Sequence, residues 1–143
     1  MATQDPQTLV RRFFEELCNA RQLAVADELF AVDHRYHDPS SPGIAPGPAG
    51  MRQLLATYHD AFPDAHWTVE EMLTAGDTVV TRWIAQGTND AELLGMPPTG
   101  KAVSVPGIWI HRVQDGQIVQ SWNVWDTLGM LQQMEIVPRL GAA

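Results

Sequence analysis

Residues 87–126 read GTNDAELLGMPPTGKAVSVPGIWIHRVQDGQIVQSWNVWD, and this stretch decides the fold. Asp115-Gly116 separates two runs of apolar and β-branched residues, the strongest short-range signal for a β-hairpin. The segment Gly95 to Gly100 that precedes the hairpin cannot be helical. Two prolines fix φ and remove backbone donors there, and a glycine closes each end. Strand alternation then sorts the hairpin. Gly107, Trp109, His111 and Val113 share one face, with Ile108, Ile110 and Arg112 on the other. On the return strand Ser121, Asn123 and Trp125 lie opposite Gln120, Trp122 and Val124. Both faces are substantially apolar, so period alone leaves open which one is inward. Trp83, Trp109, Trp122 and Trp125 all fall in or beside this sheet, as a solid core or as the lining of a cavity.

Upstream of the hairpin the period of two continues. His66 to Leu73 reads as a strand, Ala75-Gly76-Asp77 as a turn and Thr78 to Thr88 as the antiparallel partner. Before His66 the period is helical. Thr3 or Asp5 can cap a first helix with Pro6 in its first turn, and Leu9, Val10, Phe13, Phe14 and Leu17 form its apolar face. A short second helix turns Leu23, Ala26, Leu29 and Phe30 inward. From Asp33 to Gly50 prolines and glycines break regularity, giving an ordered loop that can open with a short strand. A third helix is expected from about Ala49 to Phe62, with Met51, Leu54, Leu55, Tyr58 and Phe62 on one face. Pro63-Asp64 ends it. After the hairpin, Asp126-Thr127 can cap a last helix, Leu128 to Met134. Helices first and an antiparallel meander afterwards define an α+β fold, a curved sheet wrapped around helices on one face. An apolar outer face makes a homodimer through the sheet the expected assembly.

The 143 residues form one domain, 1–143, large enough to bury a core without staples. A net charge of −8 with only 9 Lys and Arg argues against a nucleic-acid partner. The single cysteine, Cys18, rules out an internal disulfide and sits between apolar neighbours, as a buried structural thiol does. No apolar run approaches the roughly 18 residues of a membrane span, and MATQDPQTLVRR has no signal-peptide core. A cytoplasmic protein with no membrane partner is the expectation.

Among polar residues Asp38 stands out, in Tyr36-His37-Asp38-Pro39 where the helical part passes into the irregular loop. A carboxylate on such a partly desolvated rim suits a general acid or base. The plainer reading is an Asx-type turn before proline. His37 and His34 are weaker proton carriers, and His59 and His66 weaker still. Asp126 is either a helix cap or a site residue. No His/Cys spacing for a transition metal, no nucleophile elbow and no phosphate loop occurs.

Taken together, LLGMPPTGKxV followed by HRVQDGQIVQSWNVWD, with LVRRFFEELCNARQ near the start and AFPD before the sheet, resembles the SnoaL-like polyketide cyclase family. That family lies in the nuclear transport factor 2-like superfamily with ketosteroid isomerase. The resemblance spans roughly residues 8 to 136. It implies a cone-shaped, curved, mostly antiparallel sheet around three N-terminal helices, a deep pocket for a hydrophobic small-molecule ligand, a homodimer and no metal or organic cofactor. The family's acid/base aspartate on the last strand is replaced here by Asn123, an amide with no accessible proton-transfer pKa. Two family histidine positions hold Trp109 and Asn89. The isomerase's Asp-Pro base matches Asp38, while its tyrosine position on the first helix is Phe13.

The resemblance therefore implies proton transfer beside a carbonyl, giving cyclisation, isomerisation or dehydration. Asp38, Asn123 and His111 are the catalytic candidates, and Trp109, Asn89, Tyr58, Trp125 and His37 the substrate-binding ones. A binding or dimerisation module, or a hydrolase or hydratase using a bound water, are the alternatives on the same scaffold.

Overall fold

The computed structural model describes residues 5–139 and 141. Helix α1 (Pro6–Arg12) continues directly into a π-helical segment, Phe13–Asn19. A 3₁₀ turn at Leu23–Val25 leads into the one-turn helix α2 (Ala26–Leu29), then strand β1 (Phe30–His37), helix α3 (Gly47–Ala61) and strands β2 (His66–Ala75), β3 (Thr78–Thr88), β4 (Ala102–Gln114) and β5 (Gln117–Trp125). Helix α4 (Thr127–Gln133) follows. The five strands make one open sheet in the order β1-β5-β4-β3-β2. All neighbours are antiparallel except β1, which runs parallel to β5. The fold is α+β, as the order of helical and alternating segments requires.

The Asp115-Gly116 turn forms with both residues at positive φ, 52° and 76°, the twist that matches the flanking strands. The inward face of the hairpin is the one carrying Gly107, Trp109 and His111 on β4, and Ser121 and Asn123 on β5, all buried. Ile108 and Val124 face out and are exposed. The apolar stripe of the first helical segment closes over this concave face. Leu9, Val10, Phe13, Phe14 and Leu17 are all at most 2% exposed, and Phe13 meets Trp109 edge-on at 5.1 Å. Each such burial contributes about 1.5–3 kcal/mol. The π-helical end is pinned to the sheet through Asn19, whose amide donates to Trp67 O at 2.9 Å and accepts from Trp67 N at 2.8 Å.

Three local expectations change. Phe30 ends no helix; it begins β1, which runs to His37 and is longer than the short strand expected at the opening of the loop. The sequence of β1 hides its strand character because Asp33, Arg35 and His37 point to solvent from a sheet edge, while the parallel partner lies far along the chain. Helix α3 starts at Gly47, with Pro48 in its first turn, and β2 extends to Ala75. Asp5 occupies the N-cap position of α1 without a side-chain bond, and Thr3 lies outside the described residues. Asp126 caps α4, accepting from Gly129 N at 2.8 Å.

Candidate active site

The helices and the concave face of the sheet do not meet completely. Between α3, α4 and the open end of β2–β5 lies an apolar cavity whose wall includes Leu54 and Tyr58 from α3, Phe62 just after it, Trp67 from β2, Trp83 from β3, Trp109 from β4 and Asn123 and Trp125 from β5. Its volume is about 70 Å³, against the roughly 300–1,000 Å³ of common ligand pockets. A large ligand would therefore have to insert one end and project through the mouth, or widen the slot.

Asp38 is on this wall and only 7% exposed. The residue directly after β1 is thus carried to the sheet's open end, where β5 also ends. Tyr36 hydroxyl donates to Asp38 Oδ2 at 2.5 Å, and Trp125 Nε1 donates to the same oxygen at 3.3 Å. Ser40 N donates to Oδ1 at 2.8 Å, so the Asx turn exists as well. The turn and the cavity position are compatible: the backbone bond orients the carboxylate, and Oδ1, which accepts only that bond, keeps a lone pair available. Tyr36 in turn accepts from Asn123 Nδ2 at 3.1 Å. Asn123, Tyr36 and Asp38 therefore form a chain of hydrogen bonds along the wall. Burial first, and the bond to Asp38 second, hold the Tyr36 hydroxyl above the ordinary tyrosine range. Tyr58 is likewise raised by burial and meets Trp125 edge-on at 5.7 Å.

The structure brings Asp38, Asn123, Trp109, Tyr58 and Trp125 to one cavity. The other three candidates lie elsewhere. His111 is fully buried behind Trp109, its ring stacked on the indole at 4.9 Å and 8° and edge-on to Phe13 at 5.1 Å. Desolvation, then the nearby His34, push it down to about 3, so it is a neutral core residue at neutral pH. Neither of its ring nitrogens has a partner among the described residues. Asn89 is also buried, but its amide staples the 90–100 loop. It donates to Ala91 O at 2.9 Å and accepts from Thr99 N at 2.8 Å and Thr99 Oγ1 at 3.0 Å. His37 is on the outer face, stacked on Trp122 at 5.4 Å and bonded to Gln120 at 2.9 Å.

Sequence reasoning overlooked Tyr36 and Trp67 as cavity residues, whereas Trp83 was among the tryptophans read as core or cavity lining. The i, i+2 spacing of Tyr36 and Asp38 was the available signal for the first, once Asp33 to Asp38 is read as strand. Among the described residues no cluster of His, Cys, Asp and Glu has metal-holding geometry, and no helix is long and apolar enough to cross a membrane.

An open five-stranded sheet cupped around N-terminal helices, with a cavity at its wide end, defines a nuclear transport factor 2-like α+β domain. Within that class the chain belongs to the SnoaL-like polyketide cyclase family, whose sequence profile matches residues 8–134. The structure is similar to that of IdmH, a candidate polyketide cyclase of Streptomyces antibioticus, at 32% identity and a TM-score of 0.80, covering 92% of this chain and 99% of that one. A candidate SnoaL-like polyketide cyclase of Jannaschia sp. CCS1 superposes with a TM-score of 0.83 at 26% identity, over 93% of each chain. AclR of Streptomyces galilaeus, a candidate hydroxylase, shares the fold with a TM-score of 0.81 at 23% identity, covering 94% of this chain and 83% of that one. No curated protein matches the sequence.

Proposed function

We propose that this protein is a cofactor-independent enzyme that moves a proton next to a carbonyl on a hydrophobic, polyketide- or ketosteroid-like substrate. One observation carries the reading: a buried carboxylate, Asp38, is held by three donors on the wall of an apolar, tryptophan-lined cavity. Asp38 takes a proton from the carbon next to the carbonyl, and the C–H pair moves onto the carbonyl oxygen as an enolate. The enolate then attacks a second carbonyl within the substrate, or is reprotonated further along, and Asp38 returns its proton to the resulting alkoxide or carbon. Loss of water from the aldol product gives dehydration. The Trp109 indole supports charge on the carbonyl oxygen, weakly for a single neutral donor. Asn123 orients the substrate; Tyr58 and Trp125 supply wall. His111 backs Trp109, and Asn89 and His37 take no part in the step.

Asp38→Asn tests the reading. Turnover of an aromatic polyketide, a steroid or a cyclic ketone identified by thermal-shift screening should fall about 10²–10⁴-fold, the usual worth of a general base. Unchanged turnover would remove Asp38 from the mechanism. A second reading, a ligand-binding module, is favoured by the small volume and by Asn123, which supplies an amide where a second proton carrier would be needed. Binding without turnover across the same screen would favour it. We also propose a cytoplasmic homodimer joined through the outer face of the sheet, where Ile108 and Val124 are exposed.

A further inference from the structure

At the open end of the sheet β4 outruns its neighbour. β5 ends at Trp125, opposite Gly107, so residues 102–106 of β4 pair only with β3. The free N–H and C=O groups of such an edge are normally paired or covered. Pro106 has no N–H to pair, and its carbonyl accepts from Asp126 N at 3.1 Å. Ser104 keeps both groups, and one side chain takes both. Ser104 N donates to Gln133 Oε1 at 2.7 Å, and Gln133 Nε2 donates to Ser104 O at 3.0 Å. A single amide, on the last residue of α4, thus stands in for a neighbouring strand.

The rest of the attachment of α4 is slight. Met130 and, just past the helix, Met134 are its buried side chains, and Met130 lies on the cavity wall. Lys101 Nζ meets Glu135 Oε2 at 3.0 Å, but both side chains are largely in water, where such pairs are weak. At the opposite end Asp126 caps the helix, and Ser40 Oγ bonds Thr127 Oγ1 at 2.8 Å. A Cβ at Gly129 would fall 2.0 Å from Asp126 Oδ2, so this close cap requires a glycine, which weakens the helix it sits in. The other walls are fastened more deeply. Asn19 holds Trp67 by two bonds, Arg21 donates to Phe62 O and Pro63 O, and Asp64 accepts from Thr88 N at 2.6 Å.

We infer that α4 is a lid over the cavity, latched by Gln133 on the free edge of β4. When Gln133 lets go of Ser104 the helix turns about Asp126-Thr127, carrying Met130 off the wall and uncovering Val103 and Val105. The flexible methionine side chain fills the slot when the lid is down and leaves with it. A cavity of about 70 Å³ is thereby opened to molecules of more than one ring. This rests on the cavity being the ligand site, as proposed above, but not on Asp38 being a base. Gln133 is not on the cavity wall, so it acts as a positioning residue, through the helix that carries Met130.

The opening is read first without a ligand, by amide hydrogen exchange. The Met130 and Met134 amides, bonded to Asp126 O and Met130 O, should exchange faster than the backbone amide of Trp109 inside the β4 ladder. Gln133→Leu loses both latch bonds and should speed the two methionine amides about tenfold while leaving Trp109 nearly unchanged. Gln133→Glu, whose carboxylate accepts from Ser104 N but cannot donate to Ser104 O, should fall between. Entry is then followed with Prodan, a neutral two-ring ketone whose emission shifts to the blue in apolar surroundings. Gln133→Leu should speed uptake and release together, with little change in Kd, as a gate does and an altered contact does not. Methionine amides as slow as that of Trp109, or indifferent to Gln133→Leu, would overturn the lid. Faster exchange beside unchanged uptake and release would overturn it too, since the probe would then enter by another path. Prodan left in water by all three proteins would reject the cavity as a ligand site and the gate with it. Gated uptake as expected, beside unaltered turnover in Asp38→Asn, would reject the catalytic reading alone.

Discussion

At the scale of single residues, the side chains around Asp38 and those around His111 make opposite predictions. Tyr36 both donates to Asp38 and accepts from Asn123, so Tyr36→Phe strands two partners at once. It should lower stability by about 1–3 kcal/mol in urea unfolding and reduce kcat less than Asp38→Asn does, because Trp125 and Ser40 still hold the carboxylate. A Tyr36→Phe protein as stable as wild type would show that the chain of bonds contributes nothing. His111 and His34 titrate far below a free histidine, at about 3 and about 4, chiefly through desolvation. Below pH 6.5 the unfolded chain binds protons that the native chain refuses, so stability is complete above that pH and falls as pH drops toward 4. At pH 5 the loss is roughly 2 kcal/mol per histidine. His111→Phe should flatten the difference between urea midpoints at pH 7 and pH 5; an unchanged slope would mean the histidine is not buried neutral. Asp38 came to notice through its place before a proline and its match to the isomerase's Asp-Pro, and the Asx turn that was its plainer reading exists beside its cavity position. His111, Asn89 and His37, chosen for residue type or family position, lie away from that cavity. Their burial, loop bonds and outward face depend on residues elsewhere in the chain.

At the scale of elements, the sequence carried local signals well and distant pairings poorly. The β4–β5 hairpin follows from Asp115-Gly116 and alternation, and β2–β3 from Gly76 between two alternating runs. β1 was read only as a short strand at the opening of a loop, because its partner β5 is remote and its outward residues are charged. Which hairpin face is inward also needed the helices, since Trp109 and Trp122 are equal in hydrophobicity. One available clue was Gly107, whose missing side chain makes sense only under a large neighbour. Gly107→Ala should displace the Trp83 indole, cost about 1–3 kcal/mol as overpacking does, and shift the tryptophan emission. A crystal structure of the variant with Trp83 unmoved would contradict this. The π-helical turn at Phe13–Asn19 has no signal in the sequence that we can identify.

For the whole molecule, the outer face of the sheet is the unsettled surface. Ile108 and Val124 are neighbours across β4 and β5, exposed by 47% and 65%. Arg112 lies over the Trp122 ring at 5.2 Å on the same face, giving it a polar border. Such an apolar patch with a charged rim suits association of two copies. Sedimentation at micromolar concentration should show a dimer for wild type and a monomer for Val124→Lys combined with Ile108→Glu. A monomeric wild type would end the dimer proposal. The α+β class was readable at this scale from the order of periods alone, whereas the cavity was not, because a tryptophan-rich face fits a filled core as well as an empty one.

The parallel pairing of β1 with β5 also has a consequence in time. Tyr36 bonds Asn123, and Asp38 bonds Trp125, each across 87 residues of chain. Contacts of such long range form late, after the closure entropy of the intervening segment has been overcome. On the ribosome, Asp38 emerges long before the strand that receives it, and β1 has no strand partner while α3 and β2–β4 are made. The cavity is therefore assembled last, when the final strand slots in beside the first. A ligand that spans both strands would act only on the finished chain, slowing its unfolding without hastening its folding.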